Sequence, residues 1–531
     1  MQAESIIKRW KDATTAGDYF RGLYEWSYRL ACPNHNNWDN SPGSNKSYRI
    51  YNSSTSMAMD GFVNTMMNTI TPVHTRWADL TAGVGMISKY FQLIGYMNPD
   101  KEEIAEAEHD FNELLGDLTE SIFNYLNASN LYSALGSMYY DVGIGTGFLL
   151  AMPGNENIGL GGPLNFRAFS PKWMAIEEGA YGEISAVFRK IKQKYRDAKV
   201  EWKDMKEMDQ IDDNSLLDFV EATIFNHEIN MWCYYVLHGN TILVEREYRS
   251  NPWIVFRWDL INGEVWGRGP MTKAMPDAMQ LNATTQLAMR ANQLSAFGCF
   301  TGISDDIVNP DMVRIVPGAI IPVKRNAGPS GPTLAPLPQI GNLNAQLMNI
   351  QELEGKIRHF LLDDRLPPSE NNPKMTATEV MERVRKIQRD FGSVFGRISY
   401  ELLQPILQRA IDILIYDKGL INLPQKLADV FSKIDGFSLK LKVISPLARM
   451  QGMQDVEALI QTIQMLGNIS PELMQEQIKM DELGEWLADK LGAPAKFIRS
   501  PEELKQLRDQ KQQQLMQQQL ELQQQEGNQA M

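Results

Sequence analysis

The chain is 531 residues long and carries 52 Lys and Arg against 65 Asp and Glu, a formal charge of −13. That length allows about three to four compact units; a hydrophobic content of 43% excludes wholesale disorder, and the acidic balance argues against wrapping DNA or docking on an anionic membrane through bulk charge. Cys32, Cys233 and Cys299 are too few and too scattered for a disulfide framework or a cysteine zinc site, which points to a reducing compartment. The opening MQAESIIKRWKD lacks an apolar signal core, and no run of about 18 apolar residues occurs. Neither a leader nor a membrane span is therefore expected, and the chain reads as a soluble product of a cytosol.

In chain order, residues 1–30 read as amphipathic helix, with Ile6, Ile7, Trp10 and Ala13 at helical spacing. The stretch 32–45 is an Asn-, Pro- and Gly-rich loop. Helix is expected again over 54–70, with Met57, Gly61 and Met67 facing inward. It recurs over 101–132, with Ala105, Phe111, Leu114, Leu115, Leu118 and Ile122 on one side. GTGFLLAMPG, LNFRAFSP and MAIEEGAYGEISAVFRKI then look like strands, and 232–249 like a hairpin turning at His238-Gly239-Asn240. The charged stretch between them, about 190–215, reads as a solvated helix or insertion. Pro276 suits a first helical turn and Gly298 a stop, which predicts a helix over 276–297. A Pro- and Gly-rich excursion with strand-like DMVRIVPGAIIPVK fills 298–341. A second helix starts at Leu343, and 363–374 is a loop. Thr376 and Glu379 form a capping box before a stripe of Val380, Val384, Ile387, Phe391, Val394, Ile398 and Leu402, and Pro405 should kink that helix. FSLKLKVISP is one more strand, and the remainder is helical with a Gln-rich end.

Catalytic chemistry is hard to find. No Walker A or Gly-x-Ser-x-Gly sequence occurs, and the GIGTG of 143–147 reads as a turn before a strand rather than a phosphate cradle. His227-Glu228 opens like a zinc protease motif, but Met231 stands where the second histidine is needed. No catalytic residue, metal site or cofactor is expected. The 28 methionines are the compositional oddity; Met57, Met59, Met66 and Met67 suit an adaptable core or a subunit interface.

Five segments in order resemble the portal, or head-to-tail connecting, proteins of short-tailed, podovirus-type bacteriophages: 49–80, 139–151, 251–282, 374–414 and 441–451. The resemblance implies an α+β portal fold assembled as a homo-oligomeric ring, usually of twelve subunits, at one capsid vertex. By position, 1–265 would be the N-terminal part of a wing, 266–297 a first stem helix, 298–341 a small β-containing clip and 342–362 a second stem helix. Residues 363–375 would be a tunnel loop, 376–450 the wing's return with a kinked helix and strand, and 451–531 a crown and C-terminal helical barrel. Double-stranded viral DNA would pass the channel in packaging and ejection, meeting Arg365 and Lys374 beside Asp363, Asp364 and Glu370. The clip residues Asp305, Asp306, Asp311, Arg314, Lys324 and Arg325 would contact the packaging terminase and later the tail adaptor or tail tube protein. Major capsid and scaffolding proteins would surround the ring. No membrane is involved, and the protein would sit in the virion after synthesis in the host bacterial cytoplasm. The competing reading is an intracellular helical scaffold without a DNA channel.

Overall fold

The computed structural model describes residues 2–33, 49–96, 99–154, 162–208, 211–303, 316, 318–323, 332–336, 343–363, 391–392, 394–428, 439–443 and 446–469, with isolated positions at 483–484, 486–487, 490 and 510. It is a mixed helix and sheet fold.

The N-terminal helix expected over 1–30 is two helices, α1 (Ala3–Ala16) and α2 (Asp18–Ala31), broken at Gly17. They serve different bodies. Ile6 and Ala13 of α1 are buried on the large sheet, while Phe20, Tyr24 and Tyr28 of α2 enter the main core. α3 (Ser54–Thr69) follows, and its inward residues include Gly61, Met59 and Met66; Met57, expected inside, is exposed. The strand β1 (Ala78–Ala82), α4 (Val84–Leu93), α5 (Lys101–Ala128) and α6 (Leu131–Ile144) complete the helical half. On α5, Phe111, Leu115, Leu118 and Ile122 are buried as their spacing predicts, but Ala105 is exposed and Ile104 packs in its place.

The sheets begin where α6 ends. β2 (Thr146–Pro153) lies between β3 (Leu164–Phe169) and β9 (Trp253–Arg257). An antiparallel meander runs β4 (Met174–Glu178), β5 (Ile184–Lys194), β6 (Leu216–Asn226), β7 (Met231–His238) and β8 (Thr241–Tyr248). The expected hairpin is present: His238 pairs with Thr241, and Gly239 takes the φ of +55° that the turn demands. The charged stretch at 190–215 is not simply solvated. It finishes β5 and forms α7 (Tyr195–Glu201), whose exit buries Trp202. Trp202 Nε1 donates to Tyr234 Oη at 2.9 Å, and Tyr234 donates to Glu221 at 2.5 Å. Glu221 also pairs with the Nε of Arg189, so this buried cation of the sheet has a carboxylate partner.

α8 (Pro270–Phe297) starts at Pro270 rather than Pro276, since Gly269 is its N-cap; Pro276 is accommodated inside the helix. Gly298 ends it at φ +69°. Three short strands follow, β10 (Phe300–Ile303), β11 (Ile320–Val323) and β12 (Leu334–Pro336), in the order β11-β10-β12. α9 (Leu343–Phe360) packs back along α8.

Helical turns at 391–392 and 394–397 lead into a π-helical turn at Ile398–Leu403, α10 (Gln404–Ile411) and a second π turn at Asp412–Asp417. Phe391, Val394, Ile398 and Leu402 are buried as their stripe predicts; Thr376, Glu379, Val380, Val384 and Ile387 lie outside the described residues. Pro405 does not break this helix. Its missing N–H and its ring conflict with the carbonyl four residues back. The π turn absorbs that conflict: Gln404 N–H reaches Ser399 five residues back, and the backbone stays helical. Arg257 Nη2 donates to Glu401 at 2.8 Å, and Arg409 Nε donates to the Ala151 carbonyl at 3.1 Å. Both arginines are buried, so this return helix is fastened to β2 and β9 by charge as well as by apolar packing. Finally β13 (Leu439–Val443) pairs antiparallel with β1, and α11 (Pro446–Ile469) follows.

Candidate functional site at the paired helices

Two helices pack on the body through Met271, Ala274, Leu281, Leu353 and Ile357 and are joined in sequence through a small sheet. The chain leaves α8 into β10 and returns from β12 to the start of α9, so the pair runs antiparallel. A polar joint confirms the register. Asn52 Nδ2 donates to Thr285 Oγ1 at 3.4 Å and to Glu354 Oε1 at 3.0 Å. Thr285 stands twelve residues before the end of α8, and Glu354 eleven after the start of α9. Ser54 Oγ also donates to Glu354 at 2.8 Å, Tyr51 N to Asn282 Oδ1 at 2.7 Å, and Gln286 Nε2 to Tyr51 Oη at 2.9 Å. The segment before α3 therefore clasps both helices at mid-height. Residues 282, 285 and 286 are thus engaged within the chain. Sequence reasoning missed this joint; the only signal for it is the polar run Tyr51-Asn52-Ser53-Ser54 ahead of a helix.

Beyond the joint large apolar side chains stand exposed among polar ones such as Arg290, Asn292 and Gln293. Leu287 is 58% exposed, Phe297 70% and Met348 72%. Ile320 and Leu334 are exposed on the small sheet, whose strands bury none of their residues fully. A three-stranded sheet with no closed face has little independent stability. The charges here nearly balance: from 270 to 362 there are seven Lys or Arg and six Asp or Glu. The acidic excess of the chain lies elsewhere.

α9 ends in a Schellman turn. Leu362 adopts φ +55°, its N–H reaches the His359 carbonyl at 3.2 Å, and Asp363 N–H reaches the Arg358 carbonyl at 2.9 Å. This bend buries Asp363 against Gly61 of α3, so tightly that a Cβ at Gly61 would stand 2.2 Å from Asp363 Oδ1. Asp363 is 8% exposed and its carboxylate is not on the surface of the chain. Of the other residues expected at this loop, Asp364, Arg365, Glu370 and Lys374 lie outside the described residues. So do Asp305, Asp306, Asp311, Arg314, Lys324 and Arg325 of the excursion, and nearly all of the Gln-rich end.

The glycines of 143–147 hold no cradle. A Cβ at Gly143 would meet Met59, at Gly145 Tyr24 and at Gly147 Met138, so their bareness serves close packing of α6 and β2. His227-Glu228 lies in the β6–β7 turn. Among the described residues, no group of three His, Cys, Asp or Glu could hold a metal ion, and no helix is long and apolar enough to cross a membrane. One perturbed carboxyl group is structural: Asp141 of α6 is buried, accepts from Tyr28 Oη, and is pushed up to about 8 by that burial, with the Tyr28 hydrogen bond opposing.

Against known proteins, the profile of the family described as "Bacteriophage head to tail connecting protein" matches residues 3–498. The chain is 25% identical over 261 residues to the "Probable portal protein" of Bordetella phage BPP-1, a stretch that is 48% of this chain and 45% of that protein. It thus spans about half the length of this curated relative. Among solved structures, the neck of an empty gene transfer agent particle is matched at 13% identity over 76% of this chain and 93% of that one. A native gene transfer agent virion is matched at 12% over 81% and 98%. The TM-score is 0.28 in both cases, too low to carry inference about shape or assembly.

Proposed function

The chain belongs to the bacteriophage head to tail connecting protein family, and from that premise we propose that it forms a closed portal ring at one capsid vertex, the channel for double-stranded DNA in packaging and ejection. The observation that carries the reading is the pair α8 and α9, which leaves Leu287, Phe297 and Met348 uncovered in a single chain. Repeated heterologous contacts of such faces close into a ring when the rotation permits, and twelve copies is the number the family resemblance supplies. α8 and α9 would be the stem, β10–β12 and the residues between them the clip, and the body with its return helix the wing; the Gln-rich end would extend the channel as a helical barrel.

The near balance of charge from 270 to 362 suits such a channel. Each phosphate neutralised by a cation adds affinity, so a lining that lets DNA slide needs few unpaired cations. Arg365 and Lys374 remain the residues proposed to touch DNA, repeating around the ring; Asp363, being buried, anchors the loop instead. The clip, with Asp305, Asp306, Asp311, Arg314, Lys324 and Arg325, would meet the packaging terminase and then the tail adaptor or tail tube protein. Capsid and scaffolding proteins would surround the wing, which places the mature protein in the virion. No catalytic step is proposed.

The direct test of the DNA role is Arg365→Ala with Lys374→Ala in a reconstituted packaging and ejection assay. Rings should still form, with DNA retention or ejection impaired. Rings whose packaging, retention and ejection all match the unaltered chain would remove these residues from the channel.

A further inference from the structure

The five-stranded meander has two open edges, and its registers fix which backbone groups face them. Tyr195 N–H donates to the Ser215 carbonyl at 3.0 Å, and this couple continues the β5–β6 register as a hydrogen-bonded pair. Such pairs alternate with non-bonded ones along an antiparallel ladder. Gln193, Ile191 and Arg189 therefore turn their backbone groups to β6, while Lys190, Lys192 and Lys194 turn theirs away. β4 begins opposite Arg189, so beyond that point no described strand lies on this side of β5. Carried through β6, β7 and β8, the same alternation turns the backbone groups of Glu245 and Glu247 outward on the far edge. Lys206 N–H takes the Leu243 carbonyl at 2.9 Å, and past it no described backbone group bonds to that edge.

The two edges carry opposite charge on one face. Lys190, Lys192 and Lys194 continue the every-second-residue series of Ala186 and Phe188, which pack with Ile6 and Ala13 of α1. Glu245 stands opposite Tyr235 and Glu247 opposite Cys233, and those two belong to the same packed face. All five charged residues are exposed, and no described ion pair engages any of them. Asp218, opposite Lys192 on β6, offsets one lysine and leaves the row net positive. Within one chain the two rows are three strand spacings apart, about 14 Å, so they do not neutralise each other.

We propose that β8 of one subunit adds to the open end of β5 in the next, joining two sheets edge to edge with Glu245 and Glu247 set against the lysine row. The inference rests on the ring reading above. β5 and β8 run antiparallel in the meander, so a neighbour repeated head to tail with the same face outward brings them together antiparallel. The residues whose backbone groups face the join are then the ones whose charged side chains share one face across it. Opposite charges directly across a strand pair stabilise it, and like charges oppose it. A lysine-bearing edge therefore resists a second copy of itself and admits the glutamate-bearing one. Two different edges on one chain are what a heterologous, ring-closing contact needs.

The test uses the full chain with Lys192→Cys and Glu245→Cys, and a second variant with Lys192→Cys and Glu247→Cys, the two registers that pair both glutamates with lysines. Within a chain these positions are beyond disulfide reach; across the join a directly opposed pair stands at about 5.5 Å. Oxidised rings of one of the two variants should give a ladder of linked chains on a denaturing gel, absent from the chains with one added cysteine. Charge reversal supplies the second arm, with mass photometry across a salt series and circular dichroism to confirm folding. Lys190→Glu with Lys192→Glu, or Glu245→Lys with Glu247→Lys, should each weaken assembly at low salt by about tenfold, and the four changes together should restore it. Rings that form but link in neither register, or reversals that leave assembly unaltered, would overturn the contact. So would a lysine reversal that abolishes binding to a fluorescent DNA duplex with assembly untouched, which would assign the row to nucleic acid. An unaltered chain that stays monomeric at every salt concentration would instead sink the ring reading and this contact with it.

Discussion

Around Arg257 the chain closes on itself. The guanidinium meets Glu401 at 2.8 Å, Glu401 also accepts from the Arg257 backbone N–H at 3.0 Å, and aromatic and aliphatic side chains from α2, α3, α6, β2, β9 and the return helix fill the surroundings. Among the described residues nothing closes around Phe297 and Met348: comparable apolar side chains stand exposed on two helices and a sheet with no buried face. The body is folded for its own sake, and two of its buried arginines, Arg189 and Arg257, meet carboxylates. The paired helices are held to it by the Asn52–Glu354 joint and present their apolar surface outward, a pattern that marks an interaction site. Stability and assembly should therefore be separable by mutation.

The strongest way to break the body is Arg257→Ala, which strands the Glu401 carboxylate in a half-dry site. A loss of roughly 3–5 kcal/mol is expected on removing one partner of a buried pair, read by urea denaturation; an unchanged midpoint would show that the return helix is not fastened there. Gly61→Ala should be next. Its methyl group must displace Asp363 and the turn after α9, at about 1–3 kcal/mol. Calorimetry that finds no loss would mean the Asp363 turn yields freely.

Asp141 sharpens the same point through pH. Its carboxyl is raised to about 8 in the folded chain, against about 3.9 when exposed. Between those values the folded state keeps a proton that the unfolded state releases. Stability should thus be fully present below pH 4 as far as this group is concerned, and should fall as pH rises toward 8, by about 1.4 kcal/mol per pH unit. Asp141→Asn should flatten that slope; denaturation curves from pH 5 to 8 that keep the original slope would contradict it. The smallest effect on folding is expected at the paired helices. Leu287→Asp with Met348→Asp changes exposed positions, so between unassembled chains each melting shift should correspond to within about 0.5 kcal/mol.

Much of the body is legible in the residues. The β7–β8 hairpin follows from period-two aromatics around a glycine, and the return helix from steps of three and four running to Leu402. The illegible parts are those decided by distant partners. Ala78–Ala82 is too short and plain to read as a strand; it becomes one because Leu439–Val443 pairs with it. Pro405 reads as a kink, and only the π turn before it shows how the helix continues. Asp363 reads as a loop carboxylate, yet the bareness of Gly61, far away in the sequence, buries it. Asn282, Thr285 and Gln286 sit in a helix the spacing predicts, but nothing local shows that Tyr51 and Asn52 take them. Local periodicity carries the elements; the contacts between them depend on shape that one sequence does not display.

The claim that the uncovered helices exist for neighbours is tested most directly by mass photometry of the full chain beside the Leu287→Asp, Met348→Asp variant. The unaltered chain should give one closed ring of a single mass, and the variant should give folded monomers with the same circular dichroism and a lower melting temperature, as loss of subunit contacts requires. A variant that still closes into rings of that mass, or an unaltered chain that is monomeric at every concentration, would contradict it.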